Sequence, residues 1–361
     1  MSNYYLGIMC GTSLDSIDIS IVSSTHDKLK VVDFQSYDID LVLKNEINAA
    51  KIVIPGDAKQ LSSTNTKISN LIVESIKKIL KNSKIKSTEV GCIGYAGITL
   101  LHQPEKNSST YLGKPEIISS KLDIPVISDF RQSDINAGGQ GAPLTGLFHN
   151  HLNKIKNEPM TFLNLGGFAN ITCPLKNKVI AYDTGPANYL LDIWCREKFD
   201  QEYDLNGQLA SMGNTNKNLL SSLMDDPYFQ KPFPKSTGFE YFNRAWLGKH
   251  LGKHPIINDI DILTTLAWLT IKTISNELNK QSTTSNLLYI SGGGAENDFL
   301  VRGIMKLTDK KRIKNIGFGL NEKNIESVAF AWLAICRINN KKITSPEITG
   351  AQTTYTPGII Y

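Results

Sequence analysis

Twice in this chain an apolar strand runs into a glycine turn and returns as an alternating strand. That pairing constrains the fold more than any other feature. The first instance is LGIMCGTSLDSIDIS, Leu6 to Ser20. The second is MTFLNLGGFANITC, residues 160–173. Apolar residues at every other position mark strands with one face in a core. Two such hairpins, far apart in one chain, predict a duplicated α/β unit with one hairpin in each domain. The first third supports this by alternating strands at 4–9, 17–23, 29–37, 91–95 and 124–129 with helices at 66–82 and 115–122. Later come a helix at 259–279, a strand at 286–290 and a helix from 323 to 338. The expected division is an N-terminal α/β domain over 1–130 and a C-terminal α/β domain over 131–338, with an irregular 339–361 tail packing back on the first.

The length of 361 residues suits two cores better than one. Five cysteines, an odd number without CxxC spacing, argue against a disulfide framework and a zinc knuckle. The net charge of +5 is mild, and its lysines gather in SIKKILKNSKIKS (75–87) and KLTDKKRIK (306–314). Ile76, Ile79 and Leu80 form a helical stripe in the first run, which leaves the lysines on a wet face. Neither run interleaves aromatics, so no nucleic-acid partner is expected. The apolar run VAFAWLAIC falls well short of the roughly 20 residues that cross a bilayer, so no membrane partner is expected either. The chain shows no basic leader pattern at its start, and a cytoplasmic location is expected.

Four stretches bear on chemistry. At the opening turn, Gly11 lets the backbone approach a ligand closely, while Thr12 and Ser13 offer hydroxyls and amide donors. A turn rich in outward N–H groups holds phosphate oxygens, although a plain hairpin turn reads the same way. The pattern is not GxxxxGK[ST], which excludes a Walker-type loop. In VIAYDTGPANYLLD (179–192), a strand is expected to end at Asp183, with a Thr184–Gly185 turn and Pro186 at a helix start. A carboxylate there suits a general base, or alternatively an N-cap. In SGGGAEN (291–297), Gly292, Gly293 and Gly294 suit a flat ring lying on bare backbone, or a close packing turn. Glu326 shares a helix face with Phe330 and Leu333, where a carboxylate either has a function or complements the helix dipole. Between the two halves, Gly138, Gly139 and Gly141 mark a domain crossing, a ligand-contacting loop, or both.

The order of these stretches resembles the actin, sugar-kinase and seventy-kilodalton heat-shock ATPase superfamily. That resemblance implies two ribonuclease-H-like (actin-like ATPase) domains around an ATP cleft, with both hairpins at the phosphates. A narrower resemblance rests on GIMCGTSLDSIDIS, DFRQSDINAGGQGAPL, NLGGFANIT, YDTGPANYLLD, STGFEYFN and ESVAFAWLA, which occur in this order over nearly the whole chain. Together they resemble the anhydro-N-acetylmuramic acid kinase family. The resemblance implies a cytoplasmic enzyme of cell-wall recycling that uses ATP and Mg2+. It would convert 1,6-anhydro-N-acetylmuramic acid, a small anhydro amino sugar, to N-acetylmuramic acid 6-phosphate, and it would be a homodimer. Carried over, Asp183 would activate water. Gly11, Thr12, Ser13, Leu14, Asp15, Ser16, Ile17 and Asp18 would hold the phosphates, with Asp15 and Asp18 reaching the metal's waters and no protein group ligating the metal directly. Gly166, Gly167 and Asn170 would join them from the second hairpin. Gly292, Gly293 and Gly294 would lie against the nucleoside, and Arg131, Asp134 and Glu326 would bind the sugar.

The chain departs from the family pattern at several positions. Where the family carries a Gly-Ser-His-Gly-Gln-Thr stretch, this sequence reads GYAGITLLHQP (94–104), which puts Ala96 and Ile98 at the histidine and glutamine positions. Phe239 stands where an arginine is expected, Cys10 replaces a serine and Ser16 a glycine. These changes leave open a paralogue with altered sugar specificity, or a non-catalytic nucleotide-binding sensor.

Overall fold

The computed structural model describes residues 4–11, 14–25, 28–52, 58–156, 159–176, 178–254, 256–280, 285–344 and 346–361. Thr12 and Ser13 of the expected phosphate turn lie outside the described residues. In chain order the elements begin with β1 (Tyr4–Cys10), β2 (Ser16–Thr25), β3 (Lys28–Asp38), α1 (Leu41–Ile52) and α2 (Ala58–Asn82). Next come β4 (Val90–Tyr95), β5 (Ile98–Gln103), β6 (Ser108–Leu112), α3 (Pro115–Leu122), β7 (Val126–Ser128), α4 (Phe130–Asn136) and α5 (Thr145–Lys156). They continue with β8 (Thr161–Leu165), β9 (Phe168–Pro174), β10 (Val179–Pro186), α6 (Asn188–Phe199), α7 (Lys217–Met224) and α8 (Arg244–Leu251). Last are α9 (Asp259–Lys280), β11 (Leu287–Ser291), α10 (Asp298–Leu307), β12 (Lys311–Ile313), α11 (Ile325–Ile338) and β13 (Ile359–Ile360).

Two compact units divide these elements. One comprises Met1–Phe148 with Asn315–Tyr361, the other His149–Lys314. The first sheet has the order β13-β7-β4-β1-β2-β3, with β1, β2 and β3 antiparallel and β4 and β7 joined in parallel beyond β1. The second has the order β10-β9-β8-β11-β12, with β8, β9 and β10 antiparallel and β11 and β12 parallel beyond β8. Three antiparallel strands followed by two parallel ones is the ribonuclease-H-like plan, and it occurs once in each unit. The duplication suggested by the two hairpins is therefore a duplication of topology.

In the first unit, β2 alternates cleanly. Ile17, Ile19 and Ile21 join a core with Ile72, Ile76 and Ile79 of α2. Ser20, on the other face, hydrogen-bonds Ser327 of α11 at 2.6 Å. Helix α11 is buried all round from Ile325 to Cys336, except at Glu326. It lies so close to the sheet that a Cβ on Gly7 of β1 would sit 1.8 Å from the Ser327 carbonyl oxygen, and one on Gly94 of β4 2.1 Å from that of Phe330. Two bare strand positions side by side thus admit the helix backbone. This is why α11 groups with the first unit; the sequence division assigned both 315–338 and 131–148 to the second, and both fall in the first.

Two further differences have local causes. The GYAGITLLHQP stretch, where only the strand at 91–95 is expected, continues past Gly97 at φ +76° into the β5–β6 hairpin. The last residues are not irregular to the end, because Ile359–Ile360 pair antiparallel with β7 and Ile343 bridges to Tyr355. Gly94→Ala is expected to cost about 2–3 kcal/mol by forcing α11 off the sheet. Its urea midpoint should fall with little change in slope.

Candidate active site

The second sheet aligns four polar residues. Asp183 of β10 pairs with Asn170 of β9, Asn170 pairs with Asn164 of β8, and Asn164 pairs with Ser291 of β11. Residues opposite one another in neighbouring strands point to the same face, so the row is continuous. Asp183, Asn164 and Ser291 are buried, and Asn170 is half-buried.

The strand does not stop at Asp183 as the sequence suggested. It runs on to Pro186 with a register shift between Asp183 and Gly185, so Thr184 is the extra residue of a bulge. Bulges re-aim side chains and end pairing. Helix α6 starts at Asn188 with Ala187 at its N-cap, which rules out the N-cap alternative for Asp183. Strand β10 is the edge of its sheet, and residues 235–237 lie along it as a strap. The Asp183 N–H donates to the Lys235 carbonyl at 3.0 Å. The Thr237 N–H donates to Asp183 Oδ2 at 3.0 Å. The Tyr228 hydroxyl donates to the Asp183 carbonyl at 2.7 Å. Backbone and carboxylate are thus both held.

Two glycine turns flank the row. The carbonyls of Gly166 and Gly167 accept from the N–H groups of Ala187, Asn188 and Tyr189 at 2.9–3.1 Å. A trans peptide points its C=O and N–H in opposite directions, so the N–H groups of Gly167 and Phe168 face away from α6. At the second turn, the three glycines are not equivalent. Gly292 has φ +80°, and a Cβ there would meet Asn164 Oδ1 at 2.3 Å. A Cβ on Gly294 would meet that of Leu165 at 2.8 Å, whereas at Gly293 it would meet nothing within 4 Å. The packing reading therefore fits Gly292 and Gly294, and open approach fits Gly293.

In the first unit, the Leu14 N–H, ahead of β2, donates to the Gly11 carbonyl at 3.1 Å, and Leu14 has φ +59°. Leu14 and Ile17 bury their side chains in the core, so neither offers a side chain to a ligand. Asp15 is exposed and ion-paired with Lys44 of α1 at 2.7 Å. Asp18 accepts from Ser16 at 3.0 Å and from Ser36 at 2.6 Å. Burial raises the Asp18 carboxyl above its usual range, against those two hydroxyls and the Lys323 charge. Glu326 is half-buried in the first turn of α11, one residue before Ser327.

Arg131 on α4 donates to the Gly141 carbonyl at 2.8 Å and lines a narrow recess with Ala96, Thr99, Ser109, Asp129 and Gln132. Asp134 does not reach that recess. Fully buried, its Oδ1 accepts from Thr349 and Tyr355, both at 2.6 Å, and its Oδ2 from the Gly141 N–H at 2.7 Å. The glycines at 138–141 are therefore a loop wound round a buried carboxylate. Ile98 is core, 2% exposed, while the space beside Ala96 has hydroxyl, amide, carboxylate and guanidinium neighbours.

Other nucleophiles and acids fall away. All five cysteines are buried thiols outside any disulfide, and burial pushes those of Cys92, Cys173 and Cys195 up to about 12. Desolvation first, then Arg131, lowers His102 to about 4. His149, stacked on Phe162 at 4.1 Å, is lowered to about 3 by burial. Among the described residues no three His, Cys, Asp or Glu side chains gather to hold a metal, and no helix is long and apolar enough to cross a membrane. Asn164 and Ser291 escaped sequence reasoning. The signal was present in NLGGFAN, whose two asparagines face each other across the turn.

A ribonuclease-H-like unit used twice, with glycine hairpins opening both copies, has the actin-like ATPase fold. The family is narrower than that class. A family model described as anhydro-N-acetylmuramic acid kinase matches residues 3–361. Relatives carrying that description include one from Sulfurimonas denitrificans, 36% identical with 100% of both chains covered. One from a Sulfurovum species is 38% identical over 99% of this chain and 98% of that one. The chain belongs to the anhydro-N-acetylmuramic acid kinase family. Among solved structures, an activator of 2-hydroxyisocaproyl-CoA dehydratase from Clostridium difficile with bound ADPNP matches 93% of this chain and 96% of its own, at 12% identity and a TM-score of 0.48.

Gly292→Ala is expected to lose about 1–3 kcal/mol through strain and the clash with Asn164. Gly293→Ala should stay within about 0.5 kcal/mol of the parent. Thermal melts of the two variants side by side check the contrast.

Proposed function

We propose that this chain phosphorylates 1,6-anhydro-N-acetylmuramic acid with ATP, water opening the anhydro bridge at the anomeric carbon while the released 6-oxygen takes the γ-phosphoryl group. The observation that carries the reading is Asp183, buried at a strand bulge and held by strap and backbone at the end of a polar row. In our reading Asp183 takes the proton of the attacking water. A base must be fixed within hydrogen-bond reach of the proton it removes, and rigid attachment supplies that.

The residues present fit a nucleotide. Bare backbone at Gly293 gives a ring room to lie, with Gly292 and Gly294 shaping the turn around it. The outward N–H groups after Gly166 and Gly167, with Asn170 beside them, suit phosphate oxygens. Gly11 to Asp18 would serve the same end from the first unit. ATP supplies the phosphoryl group, and Mg2+ would arrive on its phosphates, with Asp18 and Asp15 accepting from the metal's waters. Positioning and charge neutralisation would provide most of the rate.

On the sugar side, Arg131 and Glu326 would contact the substrate. Asp134 would act through the 138–141 loop that it anchors. The hydroxyl and amide groups beside Ala96 support a hydroxylated ligand, and Thr99, Ser109 and Gln132 are the groups we propose in place of the family's histidine and glutamine. Buried cysteines outside any disulfide fit a reducing compartment, and we place the reaction in the cytoplasm. A homodimer is the assembly we propose from the family resemblance.

Sugar-dependent ADP release is the assay. Asp183→Asn should lower kcat about 10²–10⁴-fold while ATP still binds. ATP binding without release under the anhydro sugar, in the parent protein, would favour the sensor reading instead.

A further inference from the structure

Behind Asp183 lies an ion pair that the proposed chemistry does not touch. Lys235 and Glu277 meet at 3.3 Å with side chains only 3% and 9% exposed. They lie 42 residues apart in sequence, one at the start of the strap and the other on α9. Glu277 also accepts from the Tyr182 hydroxyl at 2.9 Å and from Lys280 at 3.3 Å. The Lys235 ammonium lies over the rings of Tyr182 and Tyr228, at 5.6 and 5.0 Å from their centroids. Tyr182 precedes Asp183, and Tyr228 bonds its carbonyl.

Burying two charges costs enough desolvation that an apolar pair of the same volume is often as stable. Stability alone is therefore a weak reason for this pair. Its geometry supplies another. Lys235 enters the ion pair with its side chain and accepts the Asp183 N–H with its carbonyl, while Thr237, two residues on, reaches Oδ2. Glu277 grips the other side of Asp183 through Tyr182.

We propose that Lys235 and Glu277 are positioning residues, a buried clamp that ties the 235–237 strap to α9 and so fixes the Asp183 carboxylate in its working orientation. The inference rests on the reading of Asp183 as the base. The groups that face Lys235 are Glu277 and Lys280 from α9, Tyr182 and Asp183 from β10, and Tyr228 from the 227–230 turn. Its cation favours the ionised form of Asp183, so its removal should raise the pH at which the base is lost.

The test is the pH profile of sugar-dependent ADP release, from about pH 5 to 9, for Lys235→Met, Lys235→Arg and the double variant Lys235→Met/Glu277→Leu. Lys235→Met should lower kcat about ten- to a hundredfold, leave the KM for ATP within about twofold, and shift the acid limb of kcat/KM to higher pH. Lys235→Arg, which keeps the cation, should recover much of the rate and the parent acid limb. If the single methionine variant does not fold, the double variant places an apolar pair in the same space and should show the same fall in kcat. A folded methionine or double variant with kcat within about twofold of the parent and an unmoved acid limb would overturn the clamp. Asp183→Asn runs in the same series. If it retains turnover, the base assignment fails; if it is inactive while Lys235→Met runs at full rate, only the clamp fails.

Discussion

Strand register in the second sheet fixes where its polar row lies. Asp183, Asn170, Asn164 and Ser291 share a face because their four strands pair in one alignment. A slip of a single residue would turn every one of them to the other face and bring Tyr182, Ile171 and Leu163 out in their place. The core on that other face, with Tyr182, Ile171 and Leu163 buried to 1% or less, is therefore what holds the polar row in position. The bulge at Thr184 then shifts the register one residue after Asp183, before pairing resumes at Gly185. The strap covers the strand edge that would otherwise lie open.

The first unit uses the same topology for a different balance. In its hairpin, Leu14 and Ile17 are committed to the core, while Asp15 and Asp18 keep polar partners in Lys44, Ser16 and Ser36. Its polar groups gather where α11 crosses the sheet: Asp18 near Lys323, and Ser20 against Ser327. That crossing depends on Gly7 and Gly94, which admit the helix backbone where any side chain would hold it off. The region around Arg131 depends on Asp134, a carboxylate whose three hydrogen bonds tie the glycine loop to residues 349 and 355.

Period-two alternation made both hairpins legible, because each strand buries one face and the pattern survives in the letters. The helix at 323–338 and the stripe of Ile76, Ile79 and Leu80 were legible for the same kind of reason. What escaped was set by contacts distant in sequence. Nothing near Thr184 announces a bulge, because DTGP reads equally well as a turn. Lys235 and Glu277 carry no local signature, and a buried lysine looks like any surface lysine until α9 is in place. Asp134 read as a ligand contact since its partners, Thr349 and Tyr355, come more than two hundred residues later.

The account stands on Asp183 directing water to carbon and not to phosphorus. Turnover in water enriched in heavy oxygen, with the sugar product and phosphate analysed promptly by mass spectrometry, tests this directly. The predicted result is one heavy oxygen on the anomeric carbon of the phosphorylated sugar and none on any phosphoryl group. Heavy oxygen in released inorganic phosphate, with the sugar unlabelled, would contradict it.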